Sequence, residues 1–249
     1  MKASLFFLAA STALAAPLEG VPVVRNEAAA LPLAELEAYY TKAFASKGAD
    51  TDALNTGISK RQYQSDTSNQ LTDGTACRPV TLIWARGTTQ PGNLGEAGSE
   101  GPAFFNALAS MIGASNLAVQ GVNYAANVLG FLLGGDPNGS TTMANLVAQA
   151  VTQCPNTKIV LSGYSQGGQL VHNAANKLTP AQLARISAVL IFGDPFSGQP
   201  VGAIPSNKVK IICHNGDNIC EGGIIITAQH KNYEEDAIPA AAFVAGLVR

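Results

Sequence analysis

Gly163-Tyr164-Ser165-Gln166-Gly167 is a G-x-S-x-G pentapeptide. It directly follows the apolar run 158–162 (KIVLS) and directly precedes a helix-patterned stretch, 166–178. Strand, tight turn and helix in that order are the context this motif requires. The turn is strained, so its flanking residues must be small, and the serine side chain projects from the C-terminal end of a sheet. The N–H of Gln166 then points to where an oxyanion would form. A serine hydroxyl is a weak nucleophile, so it needs an adjacent base, and the base needs a carboxylate to orient it. The chain has 3 histidines. His172 lies on the elbow helix and is carried away from the mouth of the site. His214 follows Cys213 at a strand end and precedes every late acid. His230 sits on a loop between Ile226 and the last helix, and fits the serine, acid, histidine order of α/β-hydrolases. The other two histidines read as surface or hydrogen-bonded structural residues.

Two acids compete for the carboxylate role. Asp194 ends an apolar strand in Gly193-Asp194-Pro195, and Asp217 lies in His214-Asn215-Gly216-Asp217-Asn218. Both fall at C-terminal strand ends, where sites on open α/β sheets form. A bridge between Cys213 and Cys220 would hold Asp217 rigid, as an orienting group must be. Asp217 is therefore preferred, with Asp194 as a structural cap or turn residue. The cysteines number 4, which in a secreted chain favours two disulfides with three possible connectivities. A local Cys213–Cys220 bridge needs little chain reorganisation and leaves Cys77 for Cys154. There is no C-x-x-C and no histidine in zinc-finger register, so no metal site is expected.

These residues must be positioned by a sheet. Short apolar runs at 80–85 (VTLIWA), 117–122, 158–162, 186–192 (ISAVLIF) and 209–213 (VKIIC) read as strands. Between and after them, 102–112, 141–153, 166–178 and 233–248 read as helices. Strands that are apolar throughout and separated by helices imply a parallel sheet covered on both faces. The fold expected is a three-layer α/β sandwich around a mostly parallel five-stranded sheet.

The chain has 249 residues with net charge −2, which excludes a basic nucleic-acid surface as its main business. Charged residues are 13%, about half the usual share, and apolar residues 47%, which is not a disordered composition. Part of the apolar excess is a leader. Lys2, the apolar run 5–10 and Ala13-Leu14-Ala15 describe a secretory signal peptide over 1–16. Its apolar core is far below the ~20 residues of a membrane span. Residues 17–61 read as a pro-segment with a helical stretch at 31–44 (LPLAELEAYYTKAF), ending in the dibasic pair Lys60-Arg61. Processing there leaves a single catalytic domain, 62–249, large enough for one well-buried core. Asn138-Gly139-Ser140 is the sole N-x-S/T sequon, in a turn-like stretch.

The chain resembles the cutinase family of secreted fungal serine esterases over about residues 77–249. The likeness rests on ordered motifs: Cys77-Arg78-Pro79, then Ala85-Arg86-Gly87-Thr88-Thr89-Gln90-Pro91-Gly92-Asn93-Leu94-Gly95, the serine pentapeptide, Cys213-His214-Asn215-Gly216-Asp217-Asn218-Ile219-Cys220, and His230. It implies an α/β-hydrolase fold and a triad of Ser165, Asp217 and His230. It implies bridges Cys77–Cys154 and Cys213–Cys220, and an oxyanion hole from Thr88 and Gln166 that is partly preset, because the family lacks the large lid of lipases. It places Ile224 and Ile226 on the apolar wall of the acyl site. The 131–133 stretch reads as the facing wall or as ordinary core. Tyr164, beside the nucleophile, and Leu132 complete the expected substrate-binding set. The implied activity is cutin and short- to medium-chain ester hydrolysis, without cofactor or metal, by an extracellular monomer with an open, apolar-rimmed crevice.

Three departures stand out. Thr88 replaces a common serine, Lys231 a common apolar residue, and Gly193-Asp194-Pro195 is closer to acetylxylan esterases. An acetylxylan esterase or small lipase is the near alternative. Acetate release from xylan, or interfacial activation on long triglycerides, would discriminate them. A non-catalytic polyester- or wax-binding protein is the distant alternative, and it would adsorb without turnover.

Overall fold

Five apolar runs become five strands because their side chains have layers to enter on both faces. They are β1 (Val80–Ala85), β2 (Leu117–Gly121), β3 (Lys158–Tyr164), β4 (Ile186–Phe192) and β5 (Val209–Ile212). All neighbours pair in parallel, in the order β2-β1-β3-β4-β5. The computed structural model describes residues 33–45 and 63–249, which fall within one compact unit, Pro32–Arg249. The expected leader at 1–16 and the Lys60-Arg61 pair lie outside the described residues. Of the expected pro-segment, only 33–45 is described.

Strand alternation sends successive side chains to opposite faces. On β1, Leu82 and Trp84 join Phe104, Phe105, Phe192 and Val244 on one face. That face is covered by α2 (Glu100–Ile112) and α7 (Ala237–Val248). Ile83 and Ala85 join Val147, Leu161 and Val171 on the other. The helices there are α4 (Pro137–Gln153) and α5 (Gln166–Ala175). The three-layer α/β sandwich is thus observed, with its sheet wholly parallel.

The remaining helices are α1 (Leu33–Ala45), α3 (Val128–Leu132) and α6 (Pro180–Ala184). Sequence patterning does not reveal α3 or α6, because five residues are too few to display a helical period. Local chemistry closes them. Gly130 N donates to the Asn127 side chain at 2.8 Å, and Thr179 and Gln182 form a reciprocal capping box. α4 starts four residues before the expected boundary. Asp136 caps it through Gly139 N at 2.6 Å, and Pro137 takes its first turn. Asn138 is therefore exposed on the first turn of a helix rather than in a free turn. The expected last helix is divided: a 3₁₀ turn, Tyr233–Asp236, precedes α7.

Bridges join Cys77 to Cys154 and Cys213 to Cys220, with Cα separations of 5.5 and 6.1 Å. Among the described residues, no helix is long and apolar enough to cross a membrane, and no group of three or more His, Cys, Asp or Glu is placed to hold a metal.

The strand order reverses between β1 and β3, which both lead out of the sheet at the same end. A crevice opens at such a switch point, outside the carboxyl ends of the strands. The loop after β1 carries Thr88, and the turn after β3 carries Ser165.

Candidate active site

Ser165 sits between β3 and α5 with φ 55° and ψ −121°, a left-handed conformation that an L-residue avoids. Strain of that kind costs ~1–3 kcal/mol and persists only where surroundings enforce it. Here they do: a Cβ at Gly163 would collide with the Gly167 carbonyl, and one at Gly167 with the carbonyl of Ala85. The two glycines let the elbow close against β1, and Ser165 N donates to Phe192 O at 3.0 Å.

His230 lies on a 3₁₀ turn, Gln229–Lys231, whose loop folds back over the sheet. Its Nε2 is 3.0 Å from Ser165 Oγ, and its Nδ1 is 2.8 Å from Asp217 Oδ2. The carboxylate can only accept, so Nδ1 carries the proton and Nε2 is left to accept from the serine. Asp217 Oδ1 also accepts from Ile219 N at 2.9 Å. All three side chains are buried: Ser165 is 1% exposed, Asp217 and His230 0%. Burial opposes ionisation of Asp217. The hydrogen bond and charge of His230, the Tyr233 hydroxyl and Ile219 N–H outweigh it and hold the carboxyl below its usual value.

Two tyrosines, neither given this part by sequence reasoning, fix the pair. The Tyr233 hydroxyl donates to Asp217 Oδ2 at 2.6 Å and accepts from His214 N at 2.9 Å. No spacing rule points to Tyr233; only the folded loop brings it under Asp217. Tyr164, expected to line the substrate site, is placed otherwise. Its ring stacks on His230 at 5.1 Å, and its hydroxyl donates to His230 O at 2.7 Å. A residue preceding the nucleophile on a buried strand turns inward, so Tyr164 backs the imidazole. Gly193, with φ 55°, is needed for the same packing, since a Cβ there would lie 2.8 Å from His230 Cε1.

The other histidines pair elsewhere. His172 Nε2 meets Asp194 Oδ2 at 2.9 Å in the buried layer under α5. Asp194 also accepts from Phe196 N at 3.0 Å, so it is both a turn residue and a buried partner. His214 stacks on Tyr233 at 4.1 Å and meets Asp236 at 2.6 Å. Burial disfavours its cation, but Asp236 and the Gln229 carbonyl outweigh this and raise its pKa.

Thr88 is fully buried after β1. The Gln166 side chain spans the crevice, donating from Nε2 to Thr88 Oγ1 and to Asn127 O, both at 2.9 Å. Gln166 is the first residue of α5, so its own N–H has no partner within the helix. One side chain thus ties the elbow, the β1 loop and the start of α3 together. Sequence reasoning identified the Gln166 N–H but not this brace.

Beside the triad, Val128, Phe131, Ile219 and Ile226 form a buried apolar cluster, with Leu132 and Ile224 packed against it. The expected wall residues are thus brought together. Two further members, Leu36 and Tyr40, come from α1. The site is therefore not the open crevice expected: α1 lies over it. The apolar periodicity of 31–44 carried that signal, because an amphipathic stripe must find something to cover.

A serine on a strained strand–helix elbow, with a histidine and a carboxylate hydrogen-bonded in series, defines the serine hydrolases of the α/β-hydrolase class. The cutinase family model matches residues 76–248. A cutinase of Monilinia fructicola is 57% identical over 169 residues, 68% of this chain and 83% of that one. A Pyrenopeziza brassicae cutinase is 51% identical over 173 residues, 70% and 84% of the two chains. The structure of Trichoderma reesei cutinase in complex with a C11Y4 phosphonate inhibitor is similar with a TM-score of 0.74 and 41% identity, covering 89% of this chain and 94% of that one. An acetylxylan esterase structure, at 24% identity and TM-score 0.56, covers 70% of this chain and all of that one, and shares the fold. The chain belongs to the cutinase family, and is a carboxylic ester hydrolase.

Proposed function

We propose that this chain is a secreted cutinase that hydrolyses cutin polyester and short- to medium-chain acyl esters through Ser165, His230 and Asp217. The observation that carries this reading is the series Ser165 Oγ, His230 Nε2 and Nδ1, Asp217, at 3.0 and 2.8 Å. His230 takes the Ser165 proton as Oγ bonds to the ester carbonyl carbon, and the carbonyl electron pair moves to oxygen. The N–H groups of Gln166 and Thr88, with the Thr88 hydroxyl, hold that oxyanion. Collapse breaks the bond to the alcohol, which leaves with the proton from His230. Water then attacks the acyl-enzyme through the same base, and the acid is released. Asp217 stays ionised throughout and stabilises the imidazolium. Besides the ester and that water, these steps use groups of this chain.

The leader motif supports export, with residues 1–16 removed and 17–61 a pro-segment cut after Arg61. Two disulfides suit an oxidising compartment. The apolar walls at Phe131, Leu132, Ile224 and Ile226 suit an acyl chain better than a sugar. The test is turnover of p-nitrophenyl esters from C2 to C16, and of cutin, by wild type and Ser165→Ala in detergent micelles. Short to medium chains and cutin should be hydrolysed, and the variant should lose more than ~10⁴-fold in kcat. Activity confined to C2, with cutin untouched, would move the reading to an acetyl esterase.

A further inference from the structure

Among the described residues, the non-glycine residues at positive φ are Thr89 at 66°, Ala126 at 49° and Ser165 at 55°. The last is the proposed nucleophile. The other two flank the proposed oxyanion site. Thr89 follows Thr88, and Ala126 precedes Asn127, whose carbonyl accepts from the Gln166 side chain. The two are joined directly, since Thr89 N donates to Ala126 O at 2.7 Å. Strained backbone of this kind persists only where its surroundings enforce it. The enforcing contacts come from Arg86 and Tyr124, earlier on the same two segments.

Arg86 and Tyr124 hold each other reciprocally. Arg86 Nη2 donates to Tyr124 O at 3.0 Å, and the Tyr124 hydroxyl donates to Arg86 O. The guanidinium lies over the Tyr124 ring, with Cζ 4.9 Å from its centroid, a cation–π geometry. Its Nε donates to Gln90 O at 2.6 Å, which closes the loop that carries Thr88. The Arg86 carbonyl also abuts the elbow, because a Cβ on Gly167 would lie 2.9 Å from it. Burial pushes the Tyr124 hydroxyl well above the ordinary tyrosine range, against the pull of the Arg86 charge, so it stays a neutral donor. Packing alone gives no reason for the arginine. It is 7% exposed, and its Nη1 is buried without a hydrogen-bond partner among the described residues, an arrangement that opposes folding.

We propose that Arg86 and Tyr124 are positioning residues for the oxyanion hole, a clamp that locks the 86–90 loop to the 124–127 segment. The clamp sets where Thr88 stands relative to the Gln166 N–H on the elbow before any ester binds. The inference rests on the esterase reading, with Thr88 as an oxyanion donor, and adds what holds that donor in place. Donors fixed in advance need not reorganise as charge develops on the carbonyl oxygen. The clamp therefore acts on the transition state and leaves the binding of intact ester nearly unchanged.

The test uses the full chain in detergent micelles, with p-nitrophenyl butyrate and its thionoester, in which sulfur replaces the carbonyl oxygen. Sulfur is a larger and weaker hydrogen-bond acceptor, so the hole contributes less to thionoester turnover. Tyr124→Phe removes one hydrogen bond and keeps the ring under the cation. Arg86→Lys keeps a charge and loses the planar fork. Each should lower kcat for the ester about tenfold or more, with KM within about twofold. The loss on the thionoester should be smaller by a factor of about three or more, so the preference for the ester shrinks. A loosened fold or a disturbed triad would lower both substrates alike. Should Arg86→Lys fold poorly, Tyr124→Phe decides alone. An unchanged kcat for the ester in Tyr124→Phe, or equal losses on the two substrates, would overturn the clamp and leave the esterase reading standing. No turnover of either substrate by wild type would overturn the esterase reading, and the clamp with it.

Discussion

The Tyr233 hydroxyl joins the triad carboxylate to the His214 backbone, donating to the first and accepting from the second. A hydrogen bond to a charged partner contributes ~1.5–3 kcal/mol. Tyr233→Phe removes it and keeps the ring that stacks on His214. The expected result is a fall in kcat of about tenfold or more, with KM within about twofold, because in the proposed mechanism Asp217 acts on the imidazolium of the transition state rather than on bound substrate. A changed KM with unchanged kcat would show that Tyr233 shapes the groove instead. At this scale the sequence carried much of the site. Ser165, His230 and Asp217 were reachable from the elbow, the chain order and the flanking cysteines. Tyr233, the brace made by the Gln166 side chain and the inward turn of Tyr164 were not. They depend on which loop folds beneath which, and no local period encodes that.

At the scale of elements, the two disulfides have different tasks. Cys77–Cys154 closes a separation of 77 residues and Cys213–Cys220 one of 7. Loop-closure entropy assigns ~4.5 kcal/mol to the first and ~2.5 kcal/mol to the second. The second, however, encloses Asp217. Replacing Cys77 and Cys154 by serine should lower the unfolding temperature more. Replacing Cys213 and Cys220 should lower kcat more, relative to its effect on stability. Thermal unfolding and ester turnover on both variants check this, and the reverse ranking of kcat would contradict it. The strands were legible to within two residues at each end, because a buried parallel strand is apolar throughout. The start of α4 was missed by four residues since its first turn is set by the Asp136 side chain, not by apolar spacing. The stretch 31–44 read as a helix, yet its partner surface was invisible, since that surface is assembled from α3 and the 219–226 loop.

Over the whole molecule, stability should depend on pH in two opposite limbs. The Asp217 carboxyl is held below its usual value in the fold. Its contribution is therefore present above about pH 4 and is lost as pH falls through the lowered value. His214 is raised, so its contribution is full below about pH 6.5 and is lost as pH rises through its folded value. His214→Gln should flatten the fall in unfolding temperature above pH ~6.5, and Asp217→Asn should flatten the acid limb below pH ~4. An unchanged profile in either variant would contradict the corresponding linkage.

The most direct measurement of the central claim is covalent. The full chain in detergent micelles is treated with a short-chain p-nitrophenyl phosphonate, and ester turnover is followed beside intact mass and peptide mapping. The account predicts one adduct per chain, on the peptide carrying Ser165, with turnover lost in proportion to labelling. Turnover that persists in fully labelled protein, or an adduct on any other residue that abolishes it, would contradict the assignment of Ser165 as the nucleophile.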